Sequence, residues 1–336
     1  MENNNILLGH GSGGTLSHAL IAELFLKYFN DPALLQLDDA ARLNFSAENI
    51  IFSTDSYVVD PIFFPGGDIG KIAVCGTVND LAMLGARPLF LSVGFILEEG
   101  FSVAQLELIL KSMQDSAEEA QVRIVTGDTK VVPHGAVDKI FINTSGIGEP
   151  ISGAHVSGHN AQIGDVIIIN GPIAQHGIAV MASREGLKLE VNIETDAAPL
   201  NHLVAEILET VPEIHALRDP TRGGIATTLN EIARQSKIAI KIVESALPIL
   251  PQVQSACEIL GLDPLYIANE GKCLVFCPAP KVDQVLTIMQ KYKYGQNACI
   301  IGEVIGDPPG KVFMETAIGG QRIIDMLAGE QLPRIC

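Results

Sequence analysis

The sequence predicts an α+β fold in two layered domains followed by a short tail, and three observations predict it. Stretches with 3.6-residue apolar periodicity alternate with apolar runs too short to be helices. Their order does not form a regular strand–helix–strand series, which argues for mixed layers over a doubly wound parallel sheet. The length of 336 residues suits two domains of ordinary size, and 47% hydrophobic residues support a large core.

The elements follow in order. "TLSHALIAELFLKYF" places Leu16, Leu20, Leu24, Phe25 and Tyr28 on one helical stripe. "IIFSTDSYVVD" reads as a strand with a polar end, "GKIAVCGTVNDLAMLGA" as a helix and "RPLFLSVGFIL" as a buried strand. "SVAQLELILKSMQDSAEEA" opens on a capping box, Ser102 with Gln105, and turns Val103, Leu106, Ile109, Leu110 and Met113 inward. "VRIVTG" and "DKIFINTSGIG" read as strands. "EPISGAHVSGHNAQIGD", rich in Gly and small polar residues, marks a boundary between domains at 1–150 and 151–326, with a mobile tail at 327–336. The second half carries strands at "DVIIING", "KCLVFC" and "CIIGEVIG". Its helices are "PLNHLVAEILET", "TRGGIATTLNEIARQ" and "VDQVLTIMQKY".

Composition excludes several function classes. A net charge of −17 repels nucleic acid and anionic membrane surfaces, so neither is expected as a partner. Aromatics are 5% and Trp is absent, which argues against a base-stacking platform. The most apolar stretch, "PLFLSVGFIL", is too short to span a bilayer. "MENNNILLGHGSGG" lacks the basic and apolar regions of a signal peptide, so a cytoplasmic location is expected. The six Cys form no CxxC pair, and no structural disulfide is expected. Cys273 and Cys277 fall on one face of a strand and read as core thiols. Cys336, at the end of "EQLPRIC", is not placed for prenylation.

Acidic residues recur at the ends of core elements: Asp38 and Asp39, Asp55, Asp80 beside Asn79, Asp128 with Thr129 and Lys130, and Asp219. Each alone reads as a turn or helix cap. Together they suit a hard cation such as Mg²⁺ that bridges to phosphates. "GHGSGG", from Gly9 to Gly14, precedes a helix, and its backbone N–H groups would form an anion nest. It also fits GxGxxG, but the preceding strand would be only "NILL", which weakens a dinucleotide-binding reading. "GGDIGK", with Lys71, is too short for a Walker A motif. Arg222 opens a helix as a phosphate contact or an ordinary surface residue, and Glu270 in "ANEGK" is a turn residue or a general base. His10, His134 and His176 each sit beside glycine and read as loop residues.

These motifs, with "FSTDSYVVDPIFFPGGDIGKIAVCGTVNDLAMLGARP", "VTGDTKVV", "LRDPTRGG" and the terminal "PRIC", resemble in order the HypE family of hydrogenase maturation proteins. That family lies in the superfamily of aminoimidazole ribonucleotide synthetase (PurM), selenophosphate synthetase and thiamine-phosphate kinase. The resemblance implies a PurM-like fold whose N-terminal, ATP-binding domains pair into a homodimer around a β-barrel. It implies a carbamoyl group loaded onto Cys336 by the carbamoyltransferase HypF, dehydration to a thiocyanate with ATP and Mg²⁺, and delivery of cyanide to iron on the HypC–HypD scaffold. Carried over residue by residue, Cys336 is the carrier, Glu270 the base, and Lys130 the group that neutralises the phosphoryl or orients the carbamoyl. Gly11, Gly13, Gly14, Asp55, Lys71, Asn79, Asp80, Thr129 and Arg222 would contact ATP. Asp38, Asp39, Asp55, Asp80, Asp128 and Asp219 would serve the metal.

The chemistry suits the residues. A carbamoyl oxygen leaves poorly until it is phosphorylated, so catalysis is chiefly positioning and charge neutralisation. The tail from Leu327, ten residues long, reaches at most about 33–36 Å when extended, with Gly329 as a hinge and Pro333 as a stiffener. Arg334 is expected to favour the thiolate and the neighbouring terminal carboxylate to oppose it. Two rival readings remain: a small-molecule synthetase or kinase of the same superfamily with an incidental tail, and a non-catalytic scaffold.

Overall fold

The computed structural model describes residues 5–11, 15–36, 40–41, 43–184, 193–328 and 334–336. Its first sheet holds β1 (Ile51–Tyr57), β2 (Ala86–Glu98), β3 (Arg123–Val132) and β4 (Ile140–Pro150) in the order β1-β4-β2-β3. β4 is antiparallel to β1 and to β2, while β2 and β3 are parallel and joined through a helix. The helices of this half include α1 (Thr15–Leu20), α2 (Ile69–Met83) and α3 (Val103–Ala120). The expected helix over 15–29 starts as α1 and passes through a π-helical turn at Ile21–Phe25. Leu20, Leu24 and Phe25 are buried, but Leu16 lies against Gly9 and stays exposed.

α2 begins where the Asp68 carboxylate accepts from the N–H groups of Gly70 and Lys71. Nearly all of its residues are buried, because the sheet lies on one side and the second domain on the other. α3 is amphipathic as its spacing predicts. The Ser102 hydroxyl accepts from Gln105 N, and Leu106, Ile109, Leu110 and Met113 are buried.

Strand alternation gives the first sheet two different faces. Leu91, Val93, Phe95, Ile140 and Ile142 point under the helices. On the opposite face Phe52 is 61% and Ile96 41% exposed. Cross-strand register puts Gly94 beside Asp128 and Ile96 beside Lys130, so Asp128 and Lys130 share this open face. Asp55 pairs with buried Thr144 and belongs to the helix side.

The second sheet is larger. β5 (Asp165–Ile169), β6 (Ala216–Arg218), β7 (Ala239–Val243), β8 (Leu274–Pro278), β9 (Cys299–Ile305), β10 (Val312–Glu315) and β11 (Gln321–Ile324) lie in the order β11-β10-β7-β9-β5-β8-β6. All pairs are antiparallel except β7 with β10. The helices are α4 (Gln175–Ala182), α5 (Asn201–Thr210), α6 (Gly224–Gln235), α7 (Pro251–Leu260) and α8 (Val282–Met289). With one parallel pair in each of the two larger sheets, the architecture is α+β, as expected.

The two halves share core. Ala82 and Met83 of α2 pack with Leu203, Val204 and Leu208 of α5. The buried Asn79 amide ties the halves: its Nδ2 donates to Ala198 O at 3.0 Å and Glu270 O at 3.4 Å, and its Oδ1 accepts from Leu200 N at 2.8 Å. Cys273 and Cys277 are buried, and all six cysteines are free. None of the described helices is long and apolar enough to cross a membrane.

Candidate active site

Residues 334–336 lie along the chain that continues β1. Val58 N donates to Cys336 O at 3.3 Å, and Asp60 N donates to Arg334 O at 3.1 Å. Arg184 Nη2 also donates to Arg334 O at 3.1 Å, while its Nε donates to Asp60 O at 3.0 Å. The Ile335 side chain is buried in the first core. Its carbonyl oxygen lies 2.8 Å from His176 Nε2, and His176 Nδ1 lies 2.8 Å from Thr195 Oγ1. A carbonyl only accepts, so Nε2 carries the proton and the Thr195 hydroxyl donates to Nδ1. Arg334 is ion-paired with Asp138 and has a φ of +52°, in the left-handed region that non-glycine residues seldom occupy.

This seating brings the Cys336 thiol beside the Glu270 carboxyl, so that each acts on the other's titration. Burial, and then the charge of Glu270, pushes the thiol pKa well up; Arg222 opposes this. The cation acting on the thiol is therefore Arg222, and not Arg334, which is turned to Asp138.

Glu270 is 3% exposed. Its N–H donates to Asp196 Oδ1 at 3.3 Å. Asp196 is buried and ion-paired with Lys272 at 3.0 Å. Although burial alone would raise the Asp196 pKa, Lys272 and His176 hold it below the ordinary carboxylate value. Gly271 follows Glu270 because a Cβ there would stand 1.9 Å from Asp196 O. Burial comes first in pushing the Glu270 pKa well up, followed by the charges of Asp196, Asp219 and Asp55.

Three expected metal residues do converge. Asp55 on β1, Asp80 near the end of α2 and Asp219 after β6 line one cleft of about 560 Å³ with Arg222 and Thr221. Asp80 Oδ2 accepts from Ser53 Oγ at 2.7 Å, and Arg222 Nη2 lies 4.0 Å from Asp55 Oδ1. Burial and then Asp55 raise the Asp80 pKa, with Ser53 opposing. Burial and then Asp80 push Asp219 up to about 7. Among the described residues no three His, Cys, Asp or Glu side chains are arranged to hold a metal ion as they stand.

Other expected residues lie elsewhere. Asp128, Thr129 and Lys130 line a separate cavity of about 310 Å³ with His10, Gly11 and Phe25. Lys130 pairs with Asp128 at 3.3 Å. It therefore does not join Glu270 and Cys336 within one chain. Strand alternation is the cause: it sends Asp128 and Lys130 to the open face and Asp55 to the helix side. Gly11 lies close against β3, where a Cβ would stand 2.6 Å from Val131 N. Asn79 joins the domains through its amide and is not turned to a phosphate site. Lys71 donates to Gly66 O at 3.0 Å and lines neither cavity. Gly13, Gly14, Asp38 and Asp39, like Gly329 and Pro333, lie outside the described residues.

His176 corrects the loop reading: it is fully buried in α4, against the tail. His134 is exposed, as a loop residue would be. Sequence reasoning also passed over Arg184, Thr195, Asp196 and Lys272. The one signal for His176 was a polar residue opening the apolar run "IAVMA".

The AIR synthase related protein family matches this chain in both halves: its N-terminal domain over residues 37–149 and its C-terminal domain over 162–315. The carbamoyl dehydratase HypE of Azotobacter vinelandii is 50% identical over 336 residues, covering 100% of this chain and 98% of that protein. A crystal structure of the hydrogenase maturation protein HypE in complex with ATP superposes with a TM-score of 0.95 at 51% identity, covering 98% of this chain and 99% of that one. A crystal structure of a HypE–HypF complex gives a TM-score of 0.81 at 50% identity, with 92% and 100% coverage.

Proposed function

The chain belongs to the HypE carbamoyl dehydratases of the AIR synthase related family, and from that premise we propose that it converts an S-carbamoyl group on Cys336 to a thiocyanate at the expense of ATP, supplying cyanide ligands for the iron of [NiFe]-hydrogenase. One observation carries the assignment of residues: the docked tail seats the Cys336 side chain beside the buried Glu270 carboxyl.

In this reading the carbamoyl oxygen leaves as phosphate, both nitrogen protons are removed, and the C–N bond becomes a nitrile. ATP with Mg²⁺ supplies the phosphoryl group that turns the oxygen into a leaving group. Asp55, Asp80 and Asp219 fit a cation, because burial and mutual repulsion raise the pKa values of Asp80 and Asp219 and a positive charge relieves both effects. Arg222 adds positive charge to the same cleft. Glu270, beside the sulfur, accepts a nitrogen proton once it has given up its own. Gly11, Asp128, Thr129 and Lys130 line a cavity suited to part of a nucleotide.

The open face of the first sheet, with Phe52 and Ile96 exposed, supports a homodimer formed there. Asp128 and Lys130 share that face, so pairing would put them at the junction of two copies. In its docked state the thiol is buried and protonated, which suits dehydration and not loading. The tail therefore leaves its seat when HypF loads it and when HypC–HypD unloads it. We place these steps in the cytoplasm.

The test is an intact-mass measurement of S-carbamoylated protein incubated with Mg-ATP. The C-terminal peptide is expected to lose the mass of one water. Full ATP turnover with no such loss removes the dehydratase reading.

A further inference from the structure

The docked tail is held through its main chain. Main-chain oxygens of three successive residues each meet a donor: Arg334 O meets Asp60 N and Arg184, Ile335 O meets His176, and Cys336 O meets Val58 N. Two of these donors are backbone groups of the first domain. The one at the middle position is a side chain of the second domain, at the start of α4. The imidazole is fixed on every side. Thr195 Oγ1, which itself accepts from Ala197 N at 3.1 Å, sets the tautomer from behind, and the Phe64 ring stands edge-on at 5.4 Å between centroids. No part of this arrangement touches the sulfur or the acidic cleft.

We propose that His176, held in its Nε2–H tautomer by Thr195, is a latch that positions the C-terminal tail in the active site. It is a positioning residue, and its role rests on the dehydratase reading above only in what the seated tail is for. The ring spans from the second domain to the tail, while Val58 and Asp60 hold the tail from the first. The tail therefore docks only when both domains present their donors together. The left-handed backbone of Arg334 works against docking, since a non-glycine residue there is strained, so loss of one buried donor tips the balance toward release.

The experiment follows alkylation of Cys336 by iodoacetamide in ATP-free protein, read from the mass of the C-terminal peptide. It needs neither ATP nor a carbamoyl group, so it can fail while the dehydratase reading stands, and the reverse. His176→Asn, which withdraws the Nε2 donor, is expected to speed alkylation about tenfold, the scale of one lost buried hydrogen bond. His176→Gln, which restores an N–H at that reach, is expected to return most of the protection. Thr195→Val, which keeps the ring but frees its tautomer, is expected to give about threefold. Cys75, buried within α2, is the internal control for folding. Parental rates in His176→Asn overturn the latch, as does a His176→Gln rate equal to that of His176→Asn. Acceleration at Cys75 equal to that at Cys336 also overturns it. If His176→Asn does not fold, Thr195→Val decides, and a parental rate there counts against the proposal.

Discussion

At the scale of single residues, the proposed chemistry turns on Glu270. Its carboxyl is buried and ringed by other carboxylates, so it keeps its proton until the site changes around it. Glu270→Gln is expected to bind ATP as the parent does and to slow dehydration by about 10² or more in single turnover, the usual range for a lost acid–base group. Asp219 offers a test by pH. Its folded pKa of about 7 stands above its ordinary value of 3.8, with burial as the leading cause. Below the ordinary value both folded and unfolded states carry the proton, and this contribution to stability is fully present. As pH rises toward 7 the unfolded chain releases the proton first, so stability falls over that window. In Asp219→Asn the fall is expected to vanish, and its urea midpoint should gain on the parent's steadily between pH 4 and 7. At this scale the sequence was a partial guide. "ANEGK" and "PRIC" drew attention to Glu270 and Cys336, which the structure brings side by side. His176 was hidden, because its importance comes from a carbonyl 159 positions away. The face of Lys130 was not legible, because the motif does not reveal which side of a strand it sits on.

Elements were legible where one face is wet. α3 and α6 show a clear apolar stripe, and the sequence located both. α4 was missed because His176 through Val180 are all buried, so no polar face marks a period. α7 was passed over although Pro251 opens it and Gly261 closes it. β7, β10 and β11 were missed as well. They are short, and their pairing with one another and with β9 is settled by tertiary contact and not by local pattern. The start of α6 gives a prediction at this scale. Gly224 has a φ of +59°, and a Cβ there would stand 2.5 Å from Leu265 O and 2.6 Å from Ile267 O. Gly224→Ala is expected to cost about 2 kcal/mol or more by urea denaturation, because both the backbone angle and the neighbouring carbonyls resist it.

For the whole molecule, two features govern how the parts meet. The open sheet face predicts that Phe52→Lys shifts the protein toward monomer in sedimentation velocity, leaving its secondary structure by circular dichroism unchanged. Parental sedimentation would place the dimer contact elsewhere. The α+β class was readable from element order, whereas this exposed face was not, since alternating Phe52, Thr54 and Ser56 look like any half-wet strand. The second feature is the manner in which residues 334–336 are gripped. Away from the sulfur, the polar contacts among the described residues there end on a main-chain oxygen or on the Arg334 side chain. A bare, a carbamoylated and a cyanated cargo are thus moored by the same lines. Discrimination among the three forms falls to the groups that face the sulfur, and the berth itself is blind to its freight.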